Sequence, residues 1–335
     1  MSGVLRVGLV GAGFVTLYHL RAWASLAGRA AVVAIADPSD ANRRARAEAF
    51  GIGRTYPGAA AMLEAGGLDA VDVAAPRAVH AEIVRLCADH GLPVLCQKPL
   101  APTLSEAEAL RAAVAGRIRL MVHENWRFRA YYREAAAWLR EGAVGRPFAA
   151  RLAVVTSGTL PDAEGRRPAL ERQPFMRGEA RMLVAEVLIH HLDTLRMLLG
   201  PLRVTACTTA RSGPALRGED TALIQLAGPD GLAAQVFASF AAHGHPPGAV
   251  DRLEILGDRG TLRLEGGELS LSGPEARSRS FDLEATYQGS YDATIRHFVE
   301  RLADGGPFET GPEDNLETLR LVEDCYRLAG ADAAR

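Results

Sequence analysis

Lysine is almost missing from this chain: of 38 basic residues among 335, Lys98 alone is a lysine and the rest are arginines. Cysteine is scarce too, with Cys87, Cys96, Cys207 and Cys325 far apart and no CxxC pair. That pattern argues against a disulfide framework, predicts no metal site, and reads as free thiols in a reducing compartment. Charge of one sign is lacking as well. The formal net charge is −2 and no Lys/Arg block forms the footprint of a nucleic-acid binder. Long apolar runs are absent: Val7–Val15, Ala31–Ala36 and Val71–Ala75 fall far short of the ~18 residues that a spanning helix needs. The opening MSGVLRVGLVGAG carries no basic n-region and no small-residue cleavage site, so neither a membrane role nor export is expected, and the expected location is cytoplasmic.

What is present is enough for two cores, since 48% of the residues are apolar and the length is generous for one domain. Residues 4–10, 31–36, 70–75, 92–96 and 118–123 read as short buried strands. Helical patterns follow through Leu26 and over 39–50, 80–90 and 105–115. Strands alternating with helices of ~10–15 residues define βαβ units and a parallel sheet, here over residues 1–122. The rhythm then changes. A helix over 131–141, a Pro-, Gly- and Arg-rich loop over 158–178 and a long helix over 180–199 precede short β-type runs from Arg203 to about Leu283, separated by turns such as GPDG and GDRG. Helices at about 290–303 and 312–329 close the chain. The expectation is an α/β protein: a doubly wound parallel sheet over 1–122, then an α+β domain over 123–335 with a largely antiparallel sheet.

Four local patterns carry chemistry. Gly11-Ala12-Gly13-Phe14-Val15-Thr16 lies between the first strand and the first helix, where two glycines let the backbone approach a pyrophosphate and the helix N-terminus offers N–H groups. Asp37, at the end of the second strand, stands where a carboxylate bonds the ribose hydroxyls; it repels a 2′-phosphate and so favours NAD over NADP. Arg43 and Arg44, which could hold such a phosphate, read as a solvated helix face. Lys98, in Gln97-Lys98-Pro99, follows a strand at the carboxyl edge of the sheet, where ligands bind. A buried lysine can lose its proton and a guanidinium effectively cannot, so a lone lysine there points to a role arginine does not fill. Finally, Glu186, His190 and Asp193 are spaced to share one face of a helix that is otherwise apolar nearly all round, and a buried acid–His–acid stripe needs a purpose. His191 points to the apolar side.

The order of these pieces resembles the family of glucose–fructose oxidoreductase, inositol dehydrogenase and the rhizopine-catabolism proteins. The likeness runs through GAGFVTLYH at 11–19, VDVAAPRAVHAE at 71–82, VLCQKPLA at 94–101, NWRF at 125–128, EVLIHHLD at 186–193, EDTA at 219–222, GDRGTL at 257–262 and FETGPEDNLETLRLVE at 308–323. It implies a Rossmann domain, a second domain whose open sheet makes homodimers or homotetramers, and NAD(P)-dependent oxidation of a sugar or polyol hydroxyl. Lys98 and His190 would flank that hydroxyl, with Glu186 at the family's Asp position. Gly11, Gly13, Phe14, Val15, Asp37, Pro76, Arg77, His80, Gln97, Lys98, Trp126 and Arg127 would hold or cover the cofactor, and Lys98, Arg127, Glu186 and His190 the substrate. Gln97 replaces the usual glutamate, and Leu188 the usual glycine. By chemistry His190 is the natural base near neutral pH, though a neutral Lys98 could serve. An NAD-using glycoside hydrolase and a non-catalytic dinucleotide-binding sensor are the alternatives.

Overall fold

The computed structural model describes residues 3–330, which cluster into two compact units. The first holds the chain up to Phe128 and, later, Tyr287–Leu319. Its strands β1 (Leu5–Val10), β2 (Ala30–Ala36), β3 (Arg54–Tyr56), β4 (Ala70–Val73), β5 (Val94–Gln97) and β6 (Leu120–His123) alternate with α1 (Thr16–Ala24), α2 (Asp40–Phe50), α3 (Ala59–Glu64), α4 (His80–Asp89) and α5 (Leu104–Val114). The strands are parallel, in the order β3-β2-β1-β4-β5-β6. Helices on both faces bury β4, β5 and β6 completely, which is why these strands read as continuous apolar runs rather than alternating ones. The order reverses between β1 and β4, and the carboxyl ends of strands at such a switch point are where ligands bind.

The second unit comprises Arg129–Thr286 and residues from Arg320 on. Helix α6 (Ala130–Arg140) leads into β7 (Pro147–Val155), followed by α7 (Pro168–Arg172), a 3₁₀ turn, a π-helical segment at Leu183–Leu188 and α8 (Ile189–Leu199). Strands β8 (Arg203–Ala210), β9 (Thr221–Ala227), β10 (Ala233–Ser239), β11 (Asp251–Gly257), β12 (Thr261–Glu265), β13 (Glu268–Ser272) and β14 (Arg277–Ser280) join β7 in one sheet, ordered β14-β13-β12-β11-β7-β10-β9-β8. Its pairs are antiparallel except β7 with β10. One face is core, with Ala150, Leu152 and Val154 on β7 and Ile224 and Val236 on β9 and β10 buried. The other face is open.

Helices α9 (Leu283–Asp304) and α10 (Pro312–Leu328) end the fold. Most of α9 belongs to the first unit, because Tyr291, Ile295, Phe298 and Val299 pack with Leu5, Val7, Trp23, Leu95 and Met121 in one core. Burying such side chains contributes roughly 1.5–3 kcal/mol each. A division at 122 therefore leaves out residues 287–319, whose return no local signal announces.

Three more differences from the sequence reading stand out. The expected single helix over 180–199 is π-helical at Leu183–Leu188 and α-helical only from Ile189. Strand β7, central in its sheet, is missing from the reading, as are β3, α3 and β14. The loop over 158–178 contains α7 and a 3₁₀ turn at Pro174–Arg177. Among the described residues, no helix is long and apolar enough to cross a membrane.

Candidate active site

The carboxyl edge of the first sheet gathers most of the residues singled out above. Gly11 follows β1, Asp37 follows β2, Pro76 and Arg77 follow β4, Gln97 ends β5 with Lys98 next, and Trp126 and Arg127 come shortly after β6. Gly11 has φ +109°, and a Cβ there would lie 2.5 Å from the carbonyl oxygen of Ala74, so only glycine fits. Gly13 is exposed, and a Cβ added to it meets nothing within 4 Å, which leaves open space where a pyrophosphate would approach. Phe14 is exposed, Val15 half-buried, and both precede the N-terminus of α1. The Asp37 carboxylate is fixed by two backbone donors, Ala12 N at 2.7 Å and Ser39 N at 2.8 Å. The residues present thus fit a dinucleotide: a glycine turn without side chains, a helix start and a placed carboxylate.

Arg43 and Arg44 are engaged elsewhere. Arg43 donates to the Asp37 carbonyl and to Asp40, and Arg44 Nε lies 2.9 Å from Asp40. Their placement matches a helix face rather than a phosphate clamp. Two other expected contact residues are committed to structure. His80 is buried, with Nδ1 2.9 Å from the Pro99 carbonyl and Nε2 2.8 Å from the Ala75 carbonyl. It ties the segment after β4 to the one after β5 instead of lining a surface. Arg127 is buried, with its guanidinium 2.7 Å from Asp314 and 3.7 Å from Glu309. A buried guanidinium keeps its charge only when paired, so this arginine holds the C-terminal segment of its unit. Trp126 is half-buried, its ring 6.1 Å from that of Tyr287.

Lys98 is half-buried and begins a cis peptide to Pro99. The backbone at its N–H is anchored by Gln97 Oε1 at 3.1 Å. Gln97 itself belongs to a buried network that the sequence reading missed. Its amide nitrogen lies 2.8 Å from His19 Nε2 and 3.3 Å from His123 Nδ1, and His19 Nδ1 lies 2.8 Å from Asp72. The available signal was a charged or polar residue set inside an apolar strand, as in AVDV and LMVH.

In the second unit, Glu186 lies on the π-helical segment and is half-buried, while His190 is in the first turn of α8 and buried. The chain changes its winding between them, so the shared-face argument holds as written only for His190 and Asp193; π-bulges of this kind recur at functional sites. The start of the segment is held by Glu219, whose carboxylate accepts from Met182 N at 3.3 Å, Val184 N at 3.0 Å and the Tyr326 hydroxyl. Gly218 allows this, since a Cβ there would lie 2.7 Å from the Ala180 carbonyl oxygen. The EDTA motif thus supports the helix that carries His190.

His191, expected on the apolar side, is buried, with Nδ1 3.1 Å from the Val187 carbonyl and Nε2 2.9 Å from Asp251. Asp251 also accepts from the Tyr132 hydroxyl at 2.8 Å and from Arg129 at 3.3 Å. Burial opposes the charge on Asp251, but His191, Arg129 and the Tyr132 hydroxyl outweigh it and hold the carboxyl well below the usual carboxylate range. A carboxyl lowered on folding stabilises the fold above its unfolded value of about 4, and that contribution fades as pH falls toward the folded value. Asp251→Asn is therefore expected to cost about 3–5 kcal/mol near neutrality, because it removes the buried charge that His191, Arg129 and the Tyr132 hydroxyl converge on. It should also flatten the loss of stability below about pH 4. Urea melts from pH 3 to 8 check this; parallel acid limbs for the two proteins would contradict it.

Fold and edge together define a dinucleotide-binding oxidoreductase built on a parallel sheet with a second α+β unit. Residues 5–124 match the oxidoreductase family with an NAD-binding Rossmann fold, and residues 132–263 match the GFO/IDH/MocA C-terminal domain. The chain belongs to this family. It is similar to the D-apiose dehydrogenase of Paraburkholderia graminis, at 35% identity over 95% of this chain and 86% of that protein. The D-apiose dehydrogenase of Rhizobium rhizogenes is 33% identical over 97% and 95%. Among solved structures, an oxidoreductase from Agrobacterium radiobacter in complex with NAD+, L-tartaric acid and magnesium is 32% identical, with a TM-score of 0.90 over 98% of this chain and 97% of that one. The chain is accordingly an NAD-dependent oxidoreductase. Among its described residues, no group of three or more His, Cys, Asp or Glu side chains could hold a metal ion.

Proposed function

We propose that this enzyme oxidises a hydroxyl of a small sugar or polyol, with the reaction centred on Lys98 and His190. The observation that carries the reading is the placement of the only lysine immediately after β5, at the switch-point edge that also holds Gly11 and Asp37. NAD, when bound, takes the hydride; the protein supplies position and electrostatics. His190 removes the hydroxyl proton, imidazole being the side chain whose reference pKa of ~6.5 lies nearest neutrality. Lys98 offsets the alkoxide charge that develops on the substrate. Glu186 steadies the imidazole of His190, and Gly11, Gly13, Phe14, Val15, Asp37, Pro76 and Arg77 bind the dinucleotide. Both similar dehydrogenases are named for D-apiose, so an aldose oxidised at C1 is the first substrate to try. The test is NADH formation with a panel of aldoses, ketoses, inositols and polyols.

Asp37 makes the cofactor preference measurable. Its carboxylate is locked by Ala12 and Ser39, and the arginines of α2 are engaged, Arg43 and Arg44 with Asp40 and Arg46 with the Gly13 carbonyl. NADH is expected to bind at least about tenfold more tightly than NADPH, a gap of ~1.4 kcal/mol. Fluorescence titration of both decides, and tighter binding of NADPH would overturn the assignment.

The second unit is proposed to bind substrate and to assemble the enzyme through the open face of its sheet, in a cytoplasmic homodimer or homotetramer. Leu223 and Phe237 stand 41% and 39% exposed on that face, directly opposite each other across β9 and β10. Large apolar side chains clustered in water mark an association surface. Light scattering should give two or four chains per particle, reduced to one by Phe237→Arg; a monomeric wild type would contradict this.

A further inference from the structure

A chain of buried polar groups ends on the backbone of Lys98. Asp72 on β4 accepts from Trp23 Nε1 at 2.7 Å and faces His19 Nδ1 at 2.8 Å. His19 Nε2 meets Gln97 Nε2 at 2.8 Å, which also faces His123 Nδ1 at 3.3 Å, and Gln97 Oε1 accepts the Lys98 N–H at 3.1 Å. The two imidazole rings lie 4.3 Å apart, and His19, Asp72 and His123 are wholly buried. The ends of a carboxamide look alike, but a backbone N–H can only donate, so the Oε1 end belongs at Lys98 and the NH₂ end at the histidines. A donor facing His19 Nε2 needs a lone pair there, while Asp72 needs the hydrogen on Nδ1. One state meets both demands: a neutral His19 carrying its hydrogen on Nδ1. The same amide leaves His123 Nδ1 as an acceptor.

We propose that Gln97 is a positioning residue whose uncharged carboxamide anchors Lys98 while leaving His19 and His123 neutral, so that Asp72 is the single charge in the buried network, where a carboxylate at 97 would draw in a proton. A glutamate side chain at 97 could accept from Lys98 N–H, and His123 could turn its hydrogen to Nδ1 to meet the second oxygen, but His19 Nε2, with its hydrogen held on Nδ1 by Asp72, would face that oxygen with nothing to donate. The network would then take up a proton, and His19, already committed to Asp72 through Nδ1, would become the imidazolium. The groups packed against the two rings and the strand behind them are thiols and phenols. Burial, with Asp72 and Cys87 behind it, pushes the neighbouring Cys96 thiol up, and burial pushes Cys87 on α4 up to about 12. From α9, Tyr291 lays its ring 5.4 Å from His19 and 5.1 Å from His123, with Tyr18 stacked behind at 5.2 Å. The consequence for catalysis rests on the reading of Lys98 as the residue that meets substrate; the protonation states do not.

The experiment is ¹⁵N NMR of histidine-labelled enzyme, with the His19 and His123 signals identified by single replacement. In the wild type at pH 7, His19 is expected as the neutral Nδ1–H form. In Gln97→Glu it is expected as the imidazolium, and the Tm deficit of that variant should widen from pH 6 to pH 9, since a folded state that holds an extra proton loses stability as pH rises. Gln97→Met removes the donor without adding charge, so it should leave His19 neutral and show a Tm deficit that does not vary with pH. An imidazolium at His19 in the wild type or in Gln97→Met, or a neutral His19 in folded Gln97→Glu, would overturn the proposal. A wild type that turns over no sugar would sink the dehydrogenase reading and leave these signals to be read as they stand.

Discussion

Lys98→Arg is expected to lower kcat for sugar oxidation by about 10²–10³, although the charge is kept. The loss follows from shape and placement. Lysine presents a compact ammonium on a flexible stem, whereas guanidinium is a planar fork that spreads its charge over three nitrogens. Lys98 is half-buried, its backbone pinned on one side by Gln97 Oε1 and on the other by the His80 contact to the Pro99 carbonyl. Arginine therefore cannot shift its main chain to bring one N–H to the point an ammonium occupies. Where a donor stabilises developing charge in a site closed to water, misplacing it costs about 3–4 kcal/mol in the barrier. The chain has used arginine at every other basic position, so the codon supply did not favour lysine here. Steady-state kinetics of Lys98→Arg and Lys98→Met check the point. Near-full activity of Lys98→Arg would remove the special status of the lysine.

His190→Asn should lower kcat/KM by about 10²–10⁴, the range of a lost general base, and should abolish any pH dependence of the rate between pH 5 and 8 that the wild type shows. Asparagine preserves volume and one hydrogen-bonding edge, and the Thr194 hydroxyl bonds the backbone carbonyl of His190 rather than its ring, so α8 should stay intact. If His190→Asn keeps the wild-type rate and pH profile, the proton is removed by another group, and Lys98 is the first to test. If the rate falls but the profile persists, His190 orients the substrate and is not the base.

Much of the fold could be read from the chain because its first sheet is buried on both faces, so five of six strands appear as dense apolar runs, three of them closed by Gly11, Asp37 or Pro76. Strand β3 and helix α3 escaped because three and six residues are too short to show a period. Strand β7 begins with Pro147 and dilutes its alternation with alanines, yet it sits at the centre of its sheet, where proline is tolerated at the first position. Strand β14, RSRS, is exposed throughout and has no apolar face to detect. The π-helical segment was hidden for the opposite reason: a helix apolar all round has no phase from which a change of winding could be seen. For the site, positions that depend on strand ends and glycine turns were legible, since backbone geometry alone fixes Gly11, Asp37 and Lys98. Roles decided by what a side chain meets across the fold were not. His80 and Arg127 are spent on carbonyls and carboxylates that lie far from them in sequence or past a turn, and His19, Asp72 and His123 gave no local pattern.

The central claim is that this chain moves hydride between NAD and a sugar or polyol. The most direct measurement is the absorbance of NADH when the purified enzyme is incubated with NAD and a panel headed by D-apiose, with other aldoses, ketoses, inositols and polyols beside it. Sustained NADH formation with at least one member, lost in Lys98→Met, is the result expected. An enzyme that binds NADH yet produces none with the whole panel would contradict the account, and cleavage of an aryl glycoside without NADH accumulation would assign it to hydrolysis instead.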